Sequence, residues 1–386
     1  MINTADRINS VEEYYFSTKL QEVRKLENEG IPVINLGIGS PDLVPHQSVI
    51  QALKNAVIRP DMHAYQSYRG IPELRKAIAE YYNRYFKVEL NSESEILPLV
   101  GSKEGIMHIT QAFVDAGDRV LVPNPGYPAY EAVSNLVQAE INYYNLAEEN
   151  NWQLDIASIE KMDLNRVKLF WLNSPNMPTG VQYPKQTLER LVILAKKHQF
   201  LIVNDNPYSM ILNKDYQSIL SIDGASELAI ELNSLSKSHN MAGWRIGWCA
   251  GRKDFIDAVL KVKSNMDSGM FKPLQLAASE ALKLGEDWFF SLNAVYQNRR
   301  KLAEKILNIL GCSFDENQQG LFLWAKLPAN ISSSEELVDH LLYEYKVFLS
   351  PGFIFGTQGQ GYVRISLCAN ENQFKIALDR IQKYHK

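Results

Sequence analysis

Residues 234–247, SLSKSHNMAGWRIG, hold one lysine, Lys237, among small and polar side chains. An apolar run at residues 228–232 precedes them and predicts a strand that ends beside the lysine. A lysine in a cleft can form a Schiff base with a carbonyl compound, because desolvation or a neighbouring cation lowers the pKa of its amine. The stretch therefore predicts a strand that delivers a reactive lysine into a cleft.

Hydroxyl and guanidinium groups accompany this lysine. Ser234, Ser236 and Arg245 would suit a phosphate group, since arginine offers a planar fork of N–H donors to anionic oxygens. A lysine beside a phosphate site indicates pyridoxal 5'-phosphate as a cofactor. The alternative from these residues alone is a solvated surface lysine in a serine-rich loop, because most lysines are of that kind.

Composition and charge indicate a globular protein of enzyme size. The chain has 386 residues, of which 46% are hydrophobic, and its net charge of -4 offers no basic surface for nucleic acid. We see no apolar window long enough to span a membrane and no signal peptide. Cys249, Cys312 and Cys368 lie far apart without metal-ligand spacing, which favours buried free thiols in a reducing compartment. We expect a cytoplasmic protein that binds neither metal, membrane nor nucleic acid.

Short apolar strands alternate with helical patterns along the first two thirds of the chain. This alternation predicts an α/β fold in which helices flank a mainly parallel mixed sheet. A helical run over residues 255–310 then leads to shorter strands at residues 321–327 and 362–367, which are typical of a smaller α+β domain. We expect three parts: an N-terminal segment that packs with the small domain (1–45), a large ligand-binding domain (46–285) and a small C-terminal domain (286–386).

The polar motifs of the chain follow the predicted strands. GSKEG at residues 101–105 lies between a strand and a helix, where free backbone N–H groups and the helix dipole favour an anion. Asp205 follows the strand predicted at residues 200–203, and Tyr208 comes three residues later. Because ligands bind at the carboxyl ends of strands in such sheets, this shared placement predicts one site.

The chain resembles the class I/II aminotransferases of the aspartate aminotransferase fold, which is fold type I of the pyridoxal phosphate enzymes. The resemblance covers roughly residues 33–367. It rests on motifs that occur in the family's order: GIGSPD (37–42), Tyr65…Gly70…Leu74-Arg75, GSKEG (101–105), NPGYPAY (124–130), PNMPTG (175–180), Asp205-x-x-Tyr208 and SLSK…GWRIG (234–247).

The resemblance assigns the groups around the cofactor ring. Lys237 matches the lysine that holds pyridoxal phosphate as an internal aldimine and later moves the proton at the substrate Cα. Asp205 matches the partner of the pyridine nitrogen, Tyr208 the donor to the ring hydroxyl oxygen, and Tyr127 the aromatic stacked on the ring face.

The resemblance also assigns the two anion sites. The cofactor phosphate would be held by the backbone N–H groups of Ser102 and Lys103, together with the side chains proposed above. Arg364 matches the arginine that clamps the substrate α-carboxylate, and Gly39 adds a backbone contact. Tyr65 matches a residue that reaches the neighbouring subunit's phosphate, which implies a homodimer with shared active sites.

One position departs from the family pattern. The family usually has an asparagine before Pro-Thr-Gly that donates to the ring hydroxyl oxygen, and this chain has Met177. We expect Asn176 or Asn173 to take over that role, with Tyr208 acting alone as the alternative.

The resemblance implies an aminotransferase that moves an amino group between an L-amino acid and a 2-oxo acid by a ping-pong mechanism. A pyridoxal phosphate-dependent carbon–sulfur β-lyase on the same scaffold stays open. A regulator is disfavoured because residues before 33 supply one helix, too few for a helix-turn-helix unit. Residues 264–278 contain Lys272 but no arginine, which argues against strict aspartate specificity. Methionine, alanine, aromatic amino acids and diaminopimelate stay open.

Overall fold

The structure is a computed structural model, and it describes residues 2–10 and 15–384. Its α-helices are α1 (Tyr15–Asn28), α2 (Gln47–Val57), α3 (Pro72–Phe86), α4 (Ser102–Phe113), α5 (Ala129–Leu136), α6 (Ile156–Glu160), α7 (Lys185–His198), α8 (Leu235–Ser238), α9 (Lys253–Lys263), α10 (Lys272–Ala281), α11 (Glu286–Ile309), α12 (Ser334–Tyr345) and α13 (Glu371–Ile381). Its β-strands are β1 (Ile34–Asn35), β2 (Ile96–Leu99), β3 (Arg119–Asn124), β4 (Glu140–Asn145), β5 (Val167–Asn173), β6 (Leu201–Asp205), β7 (Ala229–Ser234), β8 (Gly247–Gly251), β9 (Ser313–Phe314), β10 (Phe322–Lys326), β11 (Val347–Phe348), β12 (Ser350–Pro351) and β13 (Tyr362–Ser366).

The large sheet has seven strands in the order β2-β8-β7-β6-β5-β3-β4. All neighbours pair in parallel except β8, which is antiparallel to both β2 and β7. The register places Asn173 of β5 opposite Asp205 of β6, and Asp205 opposite Leu232 of β7. The carboxyl ends of these three strands therefore meet at one edge, and the predicted α/β fold is confirmed.

Helices cover both faces of this sheet, so its central strands are buried on both sides. Alternate side chains of β5 point to opposite faces, as in any strand. Leu169 and Trp171 join the core that includes residues of α4, α5 and α9, whereas Phe170 and Leu172 join the core that includes residues of α3, α7 and α10. This double burial explains the nearly continuous apolar sequence of the strands. Within the described residues, no helix is long and apolar enough to cross a membrane.

The C-terminal part forms a small antiparallel sheet in the order β12-β13-β10-β9. Buried side chains of α11, α12 and α13 pack around it in a third core. β1 pairs in parallel with β11, with Ile34 opposite Val347, so the N-terminal strand joins the C-terminal part of the chain. This pairing is the kind of contact expected of the N-terminal segment. The division at residues 45 and 285 stays a prediction, and residues 1, 11–14 and 385–386 lie outside the described residues.

The helical run predicted over residues 255–310 consists of three helices, α9, α10 and α11. Gly269 takes a φ of +86° between the first two, Pro273 lies in the first turn of α10, and Gly285 precedes α11. Glycine in the left-handed region and proline in a first turn both interrupt a helix, because neither fits a helix interior.

Candidate active site

A cavity of about 380 Å³ opens at the carboxyl ends of β5, β6 and β7. It collects most of the side chains singled out in the sequence: Gly39, Ser102, Lys103, Tyr127, Asn173, Asp205, Tyr208, Ser234, Ser236, Lys237, Arg245 and Arg364. Two predicted residues, Asn176 and Tyr65, do not line it in this chain. The pattern of motifs at strand ends therefore does converge on one place.

Lys237 lies in the short helix α8, which begins directly after β7 ends at Ser234. Its Nζ donates a hydrogen bond to the backbone carbonyl of Gly39. Burial lowers the pKa of Lys237, and the positive charges of Arg364 and Arg245 lower it further. A lysine with a lowered pKa has more of its amine in the neutral form, which is the form that attacks a carbonyl carbon.

Asp205 is a buried acid with one oxygen engaged and one left over. The Tyr130 hydroxyl donates to Oδ2 at 2.9 Å, whereas the buried Oδ1 has no hydrogen-bond partner among the described residues. Burial raises the pKa of Asp205 to about 6, although the Tyr130 hydrogen bond and the charge of Lys237 oppose this rise. An unpartnered carboxylate oxygen at the cavity is suited to a cationic N–H group of a ligand.

The turn before α4 forms, together with Arg245 and the start of β8, what we call the anion cradle. Gly101 has a φ of +81°, and a Cβ there would lie 2.2 Å from Nη2 of Arg245. A Cβ on Gly247 would lie 2.6 Å from the backbone nitrogen of Ser102. Both glycines therefore allow the start of β8, the N-terminus of α4 and the guanidinium group to approach one another closely. Backbone N–H groups, the helix dipole and Arg245 all favour an anion there.

Arg364 lies on β13, and two aromatic rings pack against its planar guanidinium group. Its guanidinium carbon lies 4.0 Å from the ring centre of Phe322 and 4.6 Å from that of Phe355. Nη2 donates to the carbonyl of Gly37 at 2.8 Å. Contacts with both rings fix the plane of the guanidinium group, which is buried but borders the cavity. A fixed guanidinium plane can bind a carboxylate through two parallel hydrogen bonds.

The residues around the departure at Met177 differ in their access to the cavity. Met177 lines the cavity, and its Sδ accepts from Nη1 of Arg364 at 3.2 Å. Asn173 also lines it, but its amide already donates to the Asp205 carbonyl at 2.6 Å and accepts from Met177 N–H at 2.6 Å. Asn176 faces away, because its Oδ1 accepts from the Thr179 hydroxyl at 2.9 Å. A ring contact from Asn173 or Asn176 stays a prediction.

Three tyrosines complete the predicted set. Tyr127 lines the cavity and meets the ring of Tyr130 edge-on at 5.6 Å. Tyr208 lines it too, and burial raises the pKa of its phenol, so the hydroxyl keeps the proton that it can donate. Tyr65 is 91% exposed, and its loop leaves the ring on the outer surface of this chain.

Sequence reasoning missed two contributors, Tyr130 and Phe322. Tyr130 stacks on Trp171 at 4.8 Å and supplies the hydrogen bond to Asp205. Its position three residues after Tyr127 is a helical spacing that could have placed it on the same side. Phe322 comes from β10 in the small sheet and faces Arg364, and no local sequence signal points to that contact.

Comparison with known proteins identifies close similarities over the whole chain. The family model for aminotransferase class I and II matches residues 31–381. The LL-diaminopimelate aminotransferase of Nitratidesulfovibrio vulgaris is 38% identical over 380 residues, which is 98% of each chain. The enzyme of the same name from Halothermothrix orenii is 37% identical over 383 residues, covering 99% of this chain and 98% of the relative.

Two solved structures also superpose on this chain over nearly its whole length. Substrate-bound BacF from Bacillus subtilis superposes with a TM-score of 0.94 at 33% identity, covering 100% of this chain and 98% of that one. A single mutant of Thermus thermophilus aspartate aminotransferase gives 0.92 at 27% identity, covering 99% and 100%.

Substitution of Gly247 tests the anion cradle. We expect Gly247→Ala to weaken pyridoxal phosphate binding roughly tenfold or more, because the new methyl group displaces the Ser102 N–H and one charge-assisted hydrogen bond is lost. Absorbance titration of the cofactor-free protein measures this affinity. Gly243→Ala is the matched control from the same stretch, since no atom lies within 4 Å of a Cβ there. Equal affinities of the two variants would contradict the cradle.

The raised pKa of Asp205 predicts a pH dependence of stability in the cofactor-free protein. The folded state favours the protonated acid, so this group's stabilisation is complete below the unfolded pKa of about 3.9 and is lost as pH rises through about 6. The unfolding free energy of the native protein relative to Asp205→Asn should fall by about 2–3 kcal/mol between pH 4 and pH 7. Urea unfolding at several pH values measures the difference. Two parallel pH curves would show that the acid is not buried in this way.

Proposed function

This chain belongs to the class I and II aminotransferases, and we propose that Lys237 is the lysine that carries its pyridoxal 5'-phosphate. The enzyme is a pyridoxal phosphate-dependent aminotransferase, and its substrates are amino acids and oxo acids. The observation that carries the proposal is the convergence of a buried lysine, an acid with an unpartnered oxygen and a glycine-lined anion cradle on one cavity.

The residues present fit the cofactor from end to end. The first turn of α4, with the backbone N–H groups of Ser102 and Lys103, would hold its phosphate. The side chains of Ser234, Ser236 and Arg245 would complete that contact. When bound, the cofactor supplies an aldehyde for amines and a ring that accepts the electrons released at the substrate Cα.

The opposite end of the cavity would hold the ring. Asp205 would accept a hydrogen bond from the ring nitrogen through its free Oδ1, and Tyr208 would donate to the ring hydroxyl oxygen. Tyr127 would pack on the ring face. Burial of the Asp205 carboxylate favours a cationic partner there, because a buried charge is stable only when it is paired.

Lys237 would also act as the base that moves the substrate proton. Because its pKa is lowered, the amine is neutral and can take a proton from the substrate Cα. It can later donate that proton to complete the transfer of the amino group. The Gly39 carbonyl accepts a hydrogen bond from Nζ and would hold the protonated amine beside the reacting atoms. Gly39 lies at this point because a Cβ would meet the Phe322 ring at 2.5 Å.

Arg364 would bind the substrate α-carboxylate, and we propose LL-diaminopimelate as the amino donor. The support is that relatives 37–39% identical over nearly their whole length carry that activity in their names. The absence of arginine from residues 264–278 agrees with a donor other than aspartate.

We also propose a homodimer in which each subunit completes the other's site. Exposed apolar side chains lie in the loop of Tyr65 and on both sides of Gly269, which packs against that loop: Tyr68 is 43% exposed, Met266 56% and Phe271 40%. Apolar patches of this kind are typical of a covered interface. A second copy of this chain would cover the patch and receive Tyr65 at its phosphate site.

A cytoplasmic location is part of the same proposal. Cys249, Cys312 and Cys368 are buried free thiols. Thiols persist in this form in a reducing compartment.

A panel of amino donors tests this function. LL-diaminopimelate, phenylalanine, alanine and aspartate are each assayed with 2-oxoglutarate, and glutamate formation is measured. We expect LL-diaminopimelate to give the highest kcat/KM by at least about tenfold, which corresponds to one charge-assisted hydrogen bond at the far end of the substrate. A higher value for phenylalanine would overturn the donor, and pyruvate and ammonia formed from cystathionine without an acceptor would favour the lyase.

A further inference from the structure

Four titratable side chains form a buried cluster behind the anion cradle. The side chains of Lys263 and His108 are 1% and 2% exposed, and those of Glu104 and Asp267 are 9% and 18% exposed. None of them lines the active-site cavity, and the chemistry described above uses none of them. Lysine and glutamate are rarely buried unless they are paired, so a buried cluster of this kind indicates specific interactions among its members.

Glu104 ties the cluster to the phosphate cradle. It lies in the first turn of α4, and its carboxylate accepts the backbone N–H of Val100, the residue before Gly101. His108 Nε2 lies 2.9 Å from its Oε1, and Lys263 Nζ lies 3.7 Å from the same oxygen. Burial raises the pKa of Glu104, but His108, Lys263 and the Val100 N–H together outweigh this and lower it. Glu104 is therefore an ionised group that closes the strand–turn–helix junction.

Lys263 and Asp267 tie the cluster to a second loop. Lys263 is the last residue of α9 and forms a salt bridge with Asp267. Asp267 Oδ1 accepts the backbone N–H of Gly269 at 3.3 Å. Gly269 lies so close to the loop of Tyr65 that a Cβ there would meet the carbonyl oxygens of Gln66 and Ser67 at 2.6 and 2.8 Å.

We propose that Glu104, Lys263 and Asp267 form one buried charge network that positions two phosphate-binding parts at once. One part is the α4 cradle of the same subunit. The other is the loop that presents Tyr65 to the neighbouring subunit, and this half rests on the proposed dimer. The three side chains are positioning residues, because they act through Val100 and Gly269 and touch neither the cofactor nor the substrate.

The first test measures the effect within one subunit. We expect Glu104→Gln to weaken binding of pyridoxal phosphate and of inorganic phosphate roughly tenfold, as the loss of a charged hydrogen bond implies. Lys263 keeps Asp267 as its partner in this variant, and circular dichroism checks that the chain is folded. Cofactor absorbance and competition by inorganic phosphate measure the two affinities.

A matched control removes another carboxylate from a buried cation. Glu93→Gln takes away the carboxylate that lies 2.6 Å from Arg75, and Arg75 keeps its hydrogen bond to the Gly70 carbonyl at 2.7 Å. We expect its affinities to stay within about twofold of the native protein, since surface carboxylates contribute little. Native affinities in Glu104→Gln would overturn the proposal. If Glu104→Gln does not fold, Asp267→Asn, whose side chain is partly exposed, takes its place with the same expected loss in a homodimer.

The second test asks whether the network acts across the subunit interface. Mixed dimers combine one subunit that carries Lys237→Ala with one whose own site is native. Adding Asp267→Asn to the Lys237→Ala subunit should raise the cofactor concentration for half-maximal turnover by roughly threefold or more, since it loosens the loop that reaches the native site. Adding Glu93→Gln to that subunit is the control and should leave the value unchanged.

The outcomes separate the network from the function it rests on. No effect of Asp267→Asn in mixed dimers, or a chain that remains monomeric, would overturn the link to the neighbouring subunit. Turnover by a dimer with Lys237→Ala in both subunits would instead overturn the proposed role of Lys237 and leave the affinity measurements on Glu104→Gln as they stand.

Discussion

Desolvation of Lys237 is the constraint on which the active site depends. The same burial acts in opposite directions on the two central groups: it lowers the pKa of Lys237 and raises that of Asp205. Both shifts favour neutral forms, which give a reactive amine and an acid that lacks a partner at Oδ1. A cofactor with an aldehyde at one end and a basic ring nitrogen at the other could react with this amine and form a hydrogen bond with this acid.

Strand register explains why these groups meet. Asn173, Asp205 and Ser234 lie at the carboxyl ends of adjacent parallel strands. The segments that follow those strands contain Met177, Tyr208 and Lys237. Strand β8, which is antiparallel to its neighbours in the large sheet, brings Gly247 back beside the N-terminus of α4, where a Cβ would lie 2.6 Å from the backbone nitrogen of Ser102. The small sheet contributes Arg364 and Phe322, so the substrate end of the cavity lies between two separate cores.

The parts of the fold and of the site that depend on local sequence pattern could be predicted from the sequence. Apolar strands, helix N-termini and the residues that follow them are visible in order, so the fold and most of the cavity lining could be predicted. Contacts between distant segments could not. The Asn176 side chain accepts a hydrogen bond from the Thr179 hydroxyl. The Phe322 ring packs on the Arg364 guanidinium from a different strand. The sequence around Gly269 does not show that this residue packs against Gln66 and Ser67. The role proposed for Tyr65 depends on a second chain, which the contacts of one chain do not test.

Chemical reduction of the loaded enzyme shows whether the cofactor is attached covalently to Lys237. The enzyme loaded with pyridoxal phosphate is treated with borohydride, digested and analysed by mass spectrometry. We expect a phosphopyridoxyl group on the peptide that contains Lys237 and on no other lysine. Attachment at another lysine of the cavity, such as Lys103, or an unlabelled Lys237 peptide from a fully loaded enzyme, would contradict it.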